Sequence, residues 1–150
     1  MEQSGQLLFI CTGNYYRSRF AEALFNYYAD LAALPWRAIS RGLTPHLIPG
    51  DLAPQVVNAL SVRGISLDYT SARKQALEEE DFEQSERVIA LQEDEHRLLM
   101  RLHFPEWMDR IEYWSTKGAS RVGMFATLPM IEAQVQDLVA ELARELVPDR

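Results

Sequence analysis

The chain alternates between short, unbroken apolar runs and longer stretches in which apolar residues recur every three or four positions. The first run, Leu7–Ile10, is apolar throughout, which predicts a strand buried on both faces of a sheet. Weaker signals predict three more strands, at Arg37–Ser40, Val88–Leu91 and Ile111–Trp114. The chain is therefore expected to alternate strands with helices.

Helical periodicity fills the stretches between the predicted strands. A helix follows Ser18, which we expect to cap it, and ends before Pro35. Its predicted buried face contains Phe20, Leu24, Tyr28 and Leu31. Later helices are predicted at Asp51–Val62, Glu78–Gln84 and Glu93–His103, with Gly64 as a left-handed cap after the first of them.

The last helix is predicted to begin at Pro129, after a loop at Ser115–Leu128. Its apolar stripe consists of Ile131, Val135, Leu138, Leu142 and Leu146. Strands that alternate with helices of these lengths predict an α/β fold, a three-layer sandwich around a four-stranded parallel sheet. The expected topology is doubly wound and flavodoxin-like, with residues 1–150 forming one domain and ligands binding beyond the carboxyl ends of the strands.

Composition and charge narrow the function. The 150 residues carry a formal charge of −7, which argues against a nucleic-acid partner. No stretch has the length of a membrane helix or the pattern of a signal peptide, so we expect a cytoplasmic protein without a membrane partner. A single cysteine argues against a disulfide framework and a multi-cysteine metal site.

That cysteine lies in the sequence CTGNYYRS, residues 11–18, between the first predicted strand and its helix. A tight loop at this position points backbone N–H groups inward and binds an anion, assisted by the helix dipole. Gly13 and Asn14 tolerate the positive φ angles that such a loop needs, and Arg17 offers a planar fork to two oxygens. Cys11 would lie at the centre, where these groups favour its thiolate. The loop therefore predicts a nucleophilic thiol beneath a phosphate or arsenate.

The motif Cys11-Thr12-Gly13-Asn14-x-x-Arg17-Ser18 resembles the signature loop of the low-molecular-weight protein tyrosine phosphatases. Ser40-Arg41-Gly42 is similar to a Ser-x-Gly of that family, and the similarity covers nearly the whole chain. The resemblance implies the same four-stranded fold, no metal and no organic cofactor. It implies that Cys11 attacks phosphorus, that Arg17 binds the phosphoryl oxygens, that Asn14 holds the loop's shape and that Ser18 stabilises the thiolate. The phosphate-binding residues it implies are Thr12, Gly13, Asn14, Tyr15, Tyr16 and Arg17.

The sequence departs from the family where the family places its general acid. The family uses an Asp in the loop after the fourth strand, but residues 115–129 contain neither Asp nor Glu, and Lys117 or Gly118 stands near the expected position. The general acid is therefore unknown; Asp109, Glu93 and Asp94 are the candidates nearest by element. A second departure, Arg19 in place of a common Pro, is expected to add positive charge near the cleft.

The leading hypothesis is a hydrolase of phosphotyrosine or aryl phosphate that forms a phosphocysteine, weakened if no general acid is present. Its partner would be a phosphorylated protein or a small aryl phosphate. One alternative is an arsenate reductase that uses an external thiol, since the chain has no further cysteine for an internal relay. Another is a phosphate- or phosphopeptide-binding module without turnover. The sequence does not indicate the physiological substrate or the oligomeric state.

Overall fold

The computed structural model describes residues 5–115 and 124–146. Four strands form one sheet: β1 Gly5–Cys11, β2 Trp36–Gly42, β3 Arg87–Ala90 and β4 Glu112–Tyr113. The helices are α1 Arg17–Leu31, α2 Pro54–Val62, α3 Glu79–Glu83, α4 Glu93–His103 and α5 Met124–Leu146. Single 3-10 turns lie at Pro45–Leu47 and Leu67–Tyr69.

The sheet has the order β2-β1-β3-β4, and all its strand pairs are parallel. From β1 the chain runs outward to β2 and then crosses back to β3 on the other side of β1. The carboxyl ends of β1 and β3 thus flank the point where the strand order reverses, which is where doubly wound sheets bind ligands. The predicted α/β fold class and its four parallel strands are confirmed.

Strand β1 is the centre of the core, because its side chains alternate between two apolar clusters. Leu7 and Phe9 face the cluster formed with α1, α2 and α5, whereas Leu8 and Ile10 face the cluster formed with α3 and α4. All four are fully buried. A central parallel strand covered on both faces explains why this run is apolar at every position.

Three predictions about the helices differ from the structure. Ser18 is the second residue of α1 and not its cap; Tyr16 takes the cap position without a side-chain cap bond. Leu31 is 68% exposed because α1 ends there, beyond the packed face. The last helix begins at Met124, five residues before the predicted start at Pro129. A proline removes one backbone bond but does not prevent a helix that has already begun upstream.

The other predicted elements lie where the pattern placed them, within a few residues. Gly64 has the left-handed conformation expected after α2, with φ of 70°. No helix in the described ranges has the length and apolar character needed to cross a membrane.

Candidate functional site

Cys11 is the last residue of β1 and lies at the carboxyl edge of the sheet. The side chain is almost completely buried, at 2% exposure. Its Sγ lies 2.8 Å from the Ser18 hydroxyl, and the backbone N–H of Asn14 donates to it at 3.3 Å. The loop that joins β1 to α1 therefore encloses the sulfur and directs at least one amide at it.

A chain of hydrogen bonds links the Glu22 carboxylate to the Ser18 hydroxyl. Ser40 donates to the carboxylate of Glu22 at 2.7 Å and accepts from Asn14 Nδ2 at 3.0 Å. The second proton of the same amide goes to Ser18 Oγ at 2.9 Å. Since Ser18 accepts from Asn14, its own proton is available for Cys11 Sγ. A hydroxyl that donates to sulfur favours the thiolate over the neutral thiol.

Asn14 and Gly13 satisfy the loop in different ways. Asn14 has a positive φ of 50°, as predicted, and its Oδ1 accepts from the backbone N–H of Gln75 at 2.8 Å. Gly13 is needed for space and not for a positive φ, because a Cβ there would lie 2.6 Å from Ile48 Cγ1. The loop is thus moulded against the segment after β2 and the segment before α3.

Arg17 begins α1 and is held by two side chains from the β3–α4 junction. Its Nη1 donates to Gln92 Oε1 at 2.6 Å, and its Nη2 donates to Glu95 Oε2 at 2.9 Å. The Thr12 hydroxyl donates to the same Glu95 oxygen. Burial raises the pKa of Glu95, but the bonds from Arg17 and Thr12 outweigh burial and hold the pKa below its usual range. Glu95 is therefore an anion that joins Thr12, the first residue after β1, to Arg17, the first residue of α1.

A cavity of about 220 Å³ opens above the sulfur. Cys11, Thr12, Gly13 and Arg17 form its floor and one side, and Tyr15, Tyr16, Ile48, Gln92 and Thr127 complete the lining. The two tyrosines also pack against the main apolar cluster, so the aromatic walls are fixed by the core. Thr127, which lies near the beginning of α5, comes from the far end of the chain.

The three candidate general acids lie outside this lining. Glu93 and Asp109 both pair with Arg97, at 3.3 and 2.9 Å, and Asp109 is highly exposed. Asp94 is also exposed and accepts from the backbone N–H of Glu95. These three carboxylates therefore interact with groups of α4 and do not line the cavity. Lys117 and Gly118, at the position where the family has its acid, lie outside the described residues.

Arg19, which was expected to add positive charge near the cleft, lies buried beneath the loop at 1% exposure. Its guanidinium donates to Thr70 Oγ1 at 2.8 Å and to the carbonyls of Asn14, Asp51 and Ser71, at 3.4, 3.2 and 2.6 Å. Burial lowers the pKa of Arg19, and the nearby carboxylates of Glu22 and Asp51 oppose that shift. Arginine remains charged in such a setting, so Arg19 is an internal cation that fastens the loop to two other segments.

Glu22 and Glu95 were not predicted from the sequence. Glu22 follows Ser18 by one helical turn, and this spacing places both on the inner face of α1. That spacing was a usable signal. The sequence holds no comparable signal for Glu95, because only its position around α4 distinguishes it from its exposed neighbours Glu93 and Asp94.

In the described part of the chain no group of three or more His, Cys, Asp or Glu side chains is arranged to hold a metal ion.

Gly42, the last residue of β2, packs closely against the loop that joins β1 to α1. A Cβ at this position would lie 2.7 Å from the Asn14 nitrogen and 2.8 Å from the Gly13 carbonyl carbon, both backbone atoms. We expect Gly42→Ala to displace the loop, to lower the free energy of unfolding by about 1–3 kcal/mol and to weaken phosphate binding roughly tenfold or more. Urea unfolding and calorimetric titration with inorganic phosphate measure the two effects.

Gly64→Ala is the matched control. Its φ of 70° makes alanine unfavourable, but an added Cβ meets nothing within 4 Å. The expected cost is about 1 kcal/mol of stability, with phosphate affinity unchanged. A Gly42→Ala protein that binds phosphate as tightly as the Gly64→Ala protein would show that the loop does not depend on this close approach.

Comparison with known proteins agrees with this architecture. Residues 6–147 match the family described as low molecular weight phosphotyrosine protein phosphatase. A protein-arginine-phosphatase from Bacillus subtilis (strain 168) is 30% identical over 146 residues, which cover 93% of each chain.

Two solved structures extend the comparison. A low molecular weight protein tyrosine phosphatase from Bacillus subtilis is 25% identical with a TM-score of 0.70, covering 94% of this chain and 96% of its own. A thioredoxin-dependent arsenate reductase from Corynebacterium glutamicum shares the fold at 23% identity and a TM-score of 0.68, covering 93% of this chain and 62% of its own. With its loop at the end of β1 and its matching fold, the chain belongs to the low-molecular-weight phosphotyrosine protein phosphatase family.

Proposed function

We propose that this protein hydrolyses phosphomonoesters, with phosphotyrosine or a small aryl phosphate as substrate, through a phosphocysteine at Cys11. The observation that carries the proposal is the environment of the sulfur, which meets the Ser18 hydroxyl at 2.8 Å and the Asn14 amide at 3.3 Å. Both donors favour a thiolate, and a thiolate is the form that attacks phosphorus. A binding module without turnover has no need of such a sulfur.

In the proposed reaction Sγ forms a bond to phosphorus while the bond from phosphorus to the leaving oxygen breaks. The leaving oxygen departs as an anion and takes its proton from solvent water, because residues 115–129 supply no carboxylic acid. The amides of residues 12–17 and the guanidinium of Arg17 hold the three equatorial oxygens as their charge changes. Water then attacks the phosphocysteine, releases inorganic phosphate and regenerates the thiolate.

The cavity suits an aromatic substrate. Tyr15 and Tyr16 form a rigid aromatic wall, and Ile48 adds apolar surface beside Gly13. An aryl ring gains from stacking or edge contacts with such side chains. The direct test is turnover of p-nitrophenyl phosphate, with mass spectrometry of acid-quenched protein to detect a phosphoryl group on Cys11. Tight phosphate binding without turnover would instead support a non-catalytic module.

Leaving-group dependence is expected to be steep. Residues 115–129 offer no carboxylic acid, and the described carboxylates of Glu93, Asp94 and Asp109 serve the outer face of α4. A general acid contributes roughly 10²–10⁴-fold, and its absence matters most when the leaving oxygen is basic. We therefore expect p-nitrophenyl phosphate to turn over at least about 10²-fold faster than phenyl phosphate. Single-turnover measurement of Cys11 phosphorylation isolates the relevant step.

Equal phosphorylation rates for the two esters would show that an acid is present. Replacing Glu93, Asp94, Glu95 and Asp109 singly by their amides would then identify it, because only the loss of the true acid restores the dependence on the leaving group. The same series at several pH values gives a second criterion. Without an acid, the rate does not fall at high pH through deprotonation of such a group.

Phosphoarginine is the second candidate substrate, since the relative that is 30% identical is a protein-arginine-phosphatase. Attack by Cys11 would break a phosphorus–nitrogen bond instead of a phosphorus–oxygen bond. A phosphotyrosine peptide and a phosphoarginine peptide of otherwise identical sequence, compared by kcat/KM, decide between the two classes. Thiol-dependent arsenate reduction without hydrolysis of either peptide would instead favour the oxidoreductase alternative.

A further inference from the structure

Glu95 lies among donors from three residues, and it is hydrogen-bonded to two of these residues. Its Oε2 accepts from Arg17 Nη2 at 2.9 Å and from the Thr12 hydroxyl. The third donor belongs to His96, whose Nε2 lies 3.6 Å from the same oxygen. That separation is too long for a hydrogen bond. One carboxylate oxygen therefore faces two donors from the phosphate loop (residues 11–18) and one donor from its own helix.

The proton of His96 can be placed from its contacts. Nδ1 accepts from the backbone N–H of Gln92 at 3.0 Å, so the neutral ring carries its proton on Nε2. Burial, reinforced by the charge of Arg17, lowers the pKa of His96 to about 3, so the ring is neutral at physiological pH. The side chain is fully buried, and Nε2 has no hydrogen-bond partner among the described residues.

A buried donor without a partner destabilises the state in which it is left unpaired. The nearest acceptor is the Glu95 oxygen, and a shift of the order of 1 Å would bring it into hydrogen-bond range of Nε2. Glu95 is kept from that position by Arg17 and Thr12. Arg17 and Thr12 both belong to the phosphate loop. A phosphoryl group that binds there would therefore release the same carboxylate that can accept from His96.

We propose that Glu95 exchanges donors during the reaction: a phosphoryl group takes over the Arg17 guanidinium, and the Glu95 carboxylate moves onto the Nε2–H of His96. The inference deepens the proposed function, because it requires that the loop bind a phosphoryl group. Glu95 then competes with substrate for Arg17, and His96 lowers the cost of that competition. Both act through Arg17 and are positioning residues.

The first test is the affinity for inorganic phosphate. Glu95→Gln replaces the competing anion by a neutral amide of the same shape, so we expect phosphate to bind roughly tenfold or more tightly. Glu93→Gln makes the same change of charge two residues earlier on the exposed face of α4, and its affinity should remain within about twofold of the unaltered chain. Weaker phosphate binding by the Glu95→Gln protein would overturn the exchange, because Glu95 would then support Arg17 instead of competing for it.

A double-mutant cycle tests the part played by His96. His96→Leu removes the Nε2–H donor and should weaken phosphate binding. His96→Gln keeps an N–H donor near the same position and should restore part of the phosphate affinity. The His96→Leu effect should vanish in the Glu95→Gln background, since no charged carboxylate then needs a new partner. A His96→Leu effect of equal size in both backgrounds would overturn the proposal.

Nuclear magnetic resonance on the unaltered chain gives a readout that survives if the His96 variants fold poorly. With the ring labelled with ¹⁵N, addition of phosphate should move the Nε2–H proton downfield as it gains a carboxylate acceptor, and the Glu95→Gln protein should show no such shift. Phosphate binding without this response would overturn the exchange alone. Failure of the unaltered chain to bind phosphate would overturn the proposed function together with it.

Discussion

Cys11→Ser is expected to lower turnover of p-nitrophenyl phosphate by at least about 10⁴-fold. A serine hydroxyl is far less ionised than a thiol at neutral pH, so the loop would hold phosphate above a group that does not attack it. The site is otherwise retained, because serine fits the space at the end of β1 and can accept from Asn14 as sulfur does. Steady-state kinetics at saturating substrate measures the loss.

Two controls separate loss of chemistry from loss of structure. The midpoint of urea unfolding should change little, since the substitution removes no apolar packing beyond one sulfur at a strand end. Phosphate affinity should also persist, because the amides and Arg17 remain. Turnover within tenfold of the unaltered protein would eliminate the covalent mechanism, whatever the substrate.

Substitution of Arg17 should have the next largest effect. Arg17→Ala is expected to lower kcat by about 10³–10⁵-fold, the range found when an arginine that stabilises a phosphoryl transition state is lost. Arg17→Lys keeps a positive charge but lacks the planar fork, so we expect it to recover only a small part of the activity. The measured quantities are kcat and KM for p-nitrophenyl phosphate, together with vanadate inhibition.

Arg101→Ala serves as the matched control, because Arg101 is an exposed arginine on α4. It removes the same charge without touching the loop and should leave kcat within about twofold of the unaltered protein. If Arg17→Lys proved as active as the unaltered protein, charge alone would account for the contribution of Arg17. The forked geometry would then be irrelevant to catalysis.

The sequence predicted the fold well because its strongest signals are local. A short apolar run such as Leu7–Ile10 is typical of a strand covered on both faces, and helical spacing between such strands favours a parallel sheet. The error at α5 also has a local cause. Proline is favoured in the first turn of a helix, so the start of α5 was predicted at Pro129. The helix instead begins upstream, at Met124.

The candidate site was predictable where it is contiguous and unpredictable where it is assembled from distant segments. Within residues 11–18, the types and order of Gly13, Asn14 and Arg17 are enough to predict an anion-binding loop. Glu95 joins the loop from more than seventy residues away in the chain, and nothing in the run Glu93–Glu95 shows which carboxylate turns inward. The burial of Arg19 was not predicted, since a charged side chain is rarely buried, but polar partners from three segments surround it.

That buried guanidinium has a consequence for how the molecule comes apart. The carbonyls of Asn14, Asp51 and Ser71 all accept from Arg19, so opening any of these three segments removes a hydrogen bond from a buried charge. Partial unfolding around Cys11 is correspondingly costly. Amide hydrogen exchange should therefore find the three segments opening together, in one cooperative unit with α1.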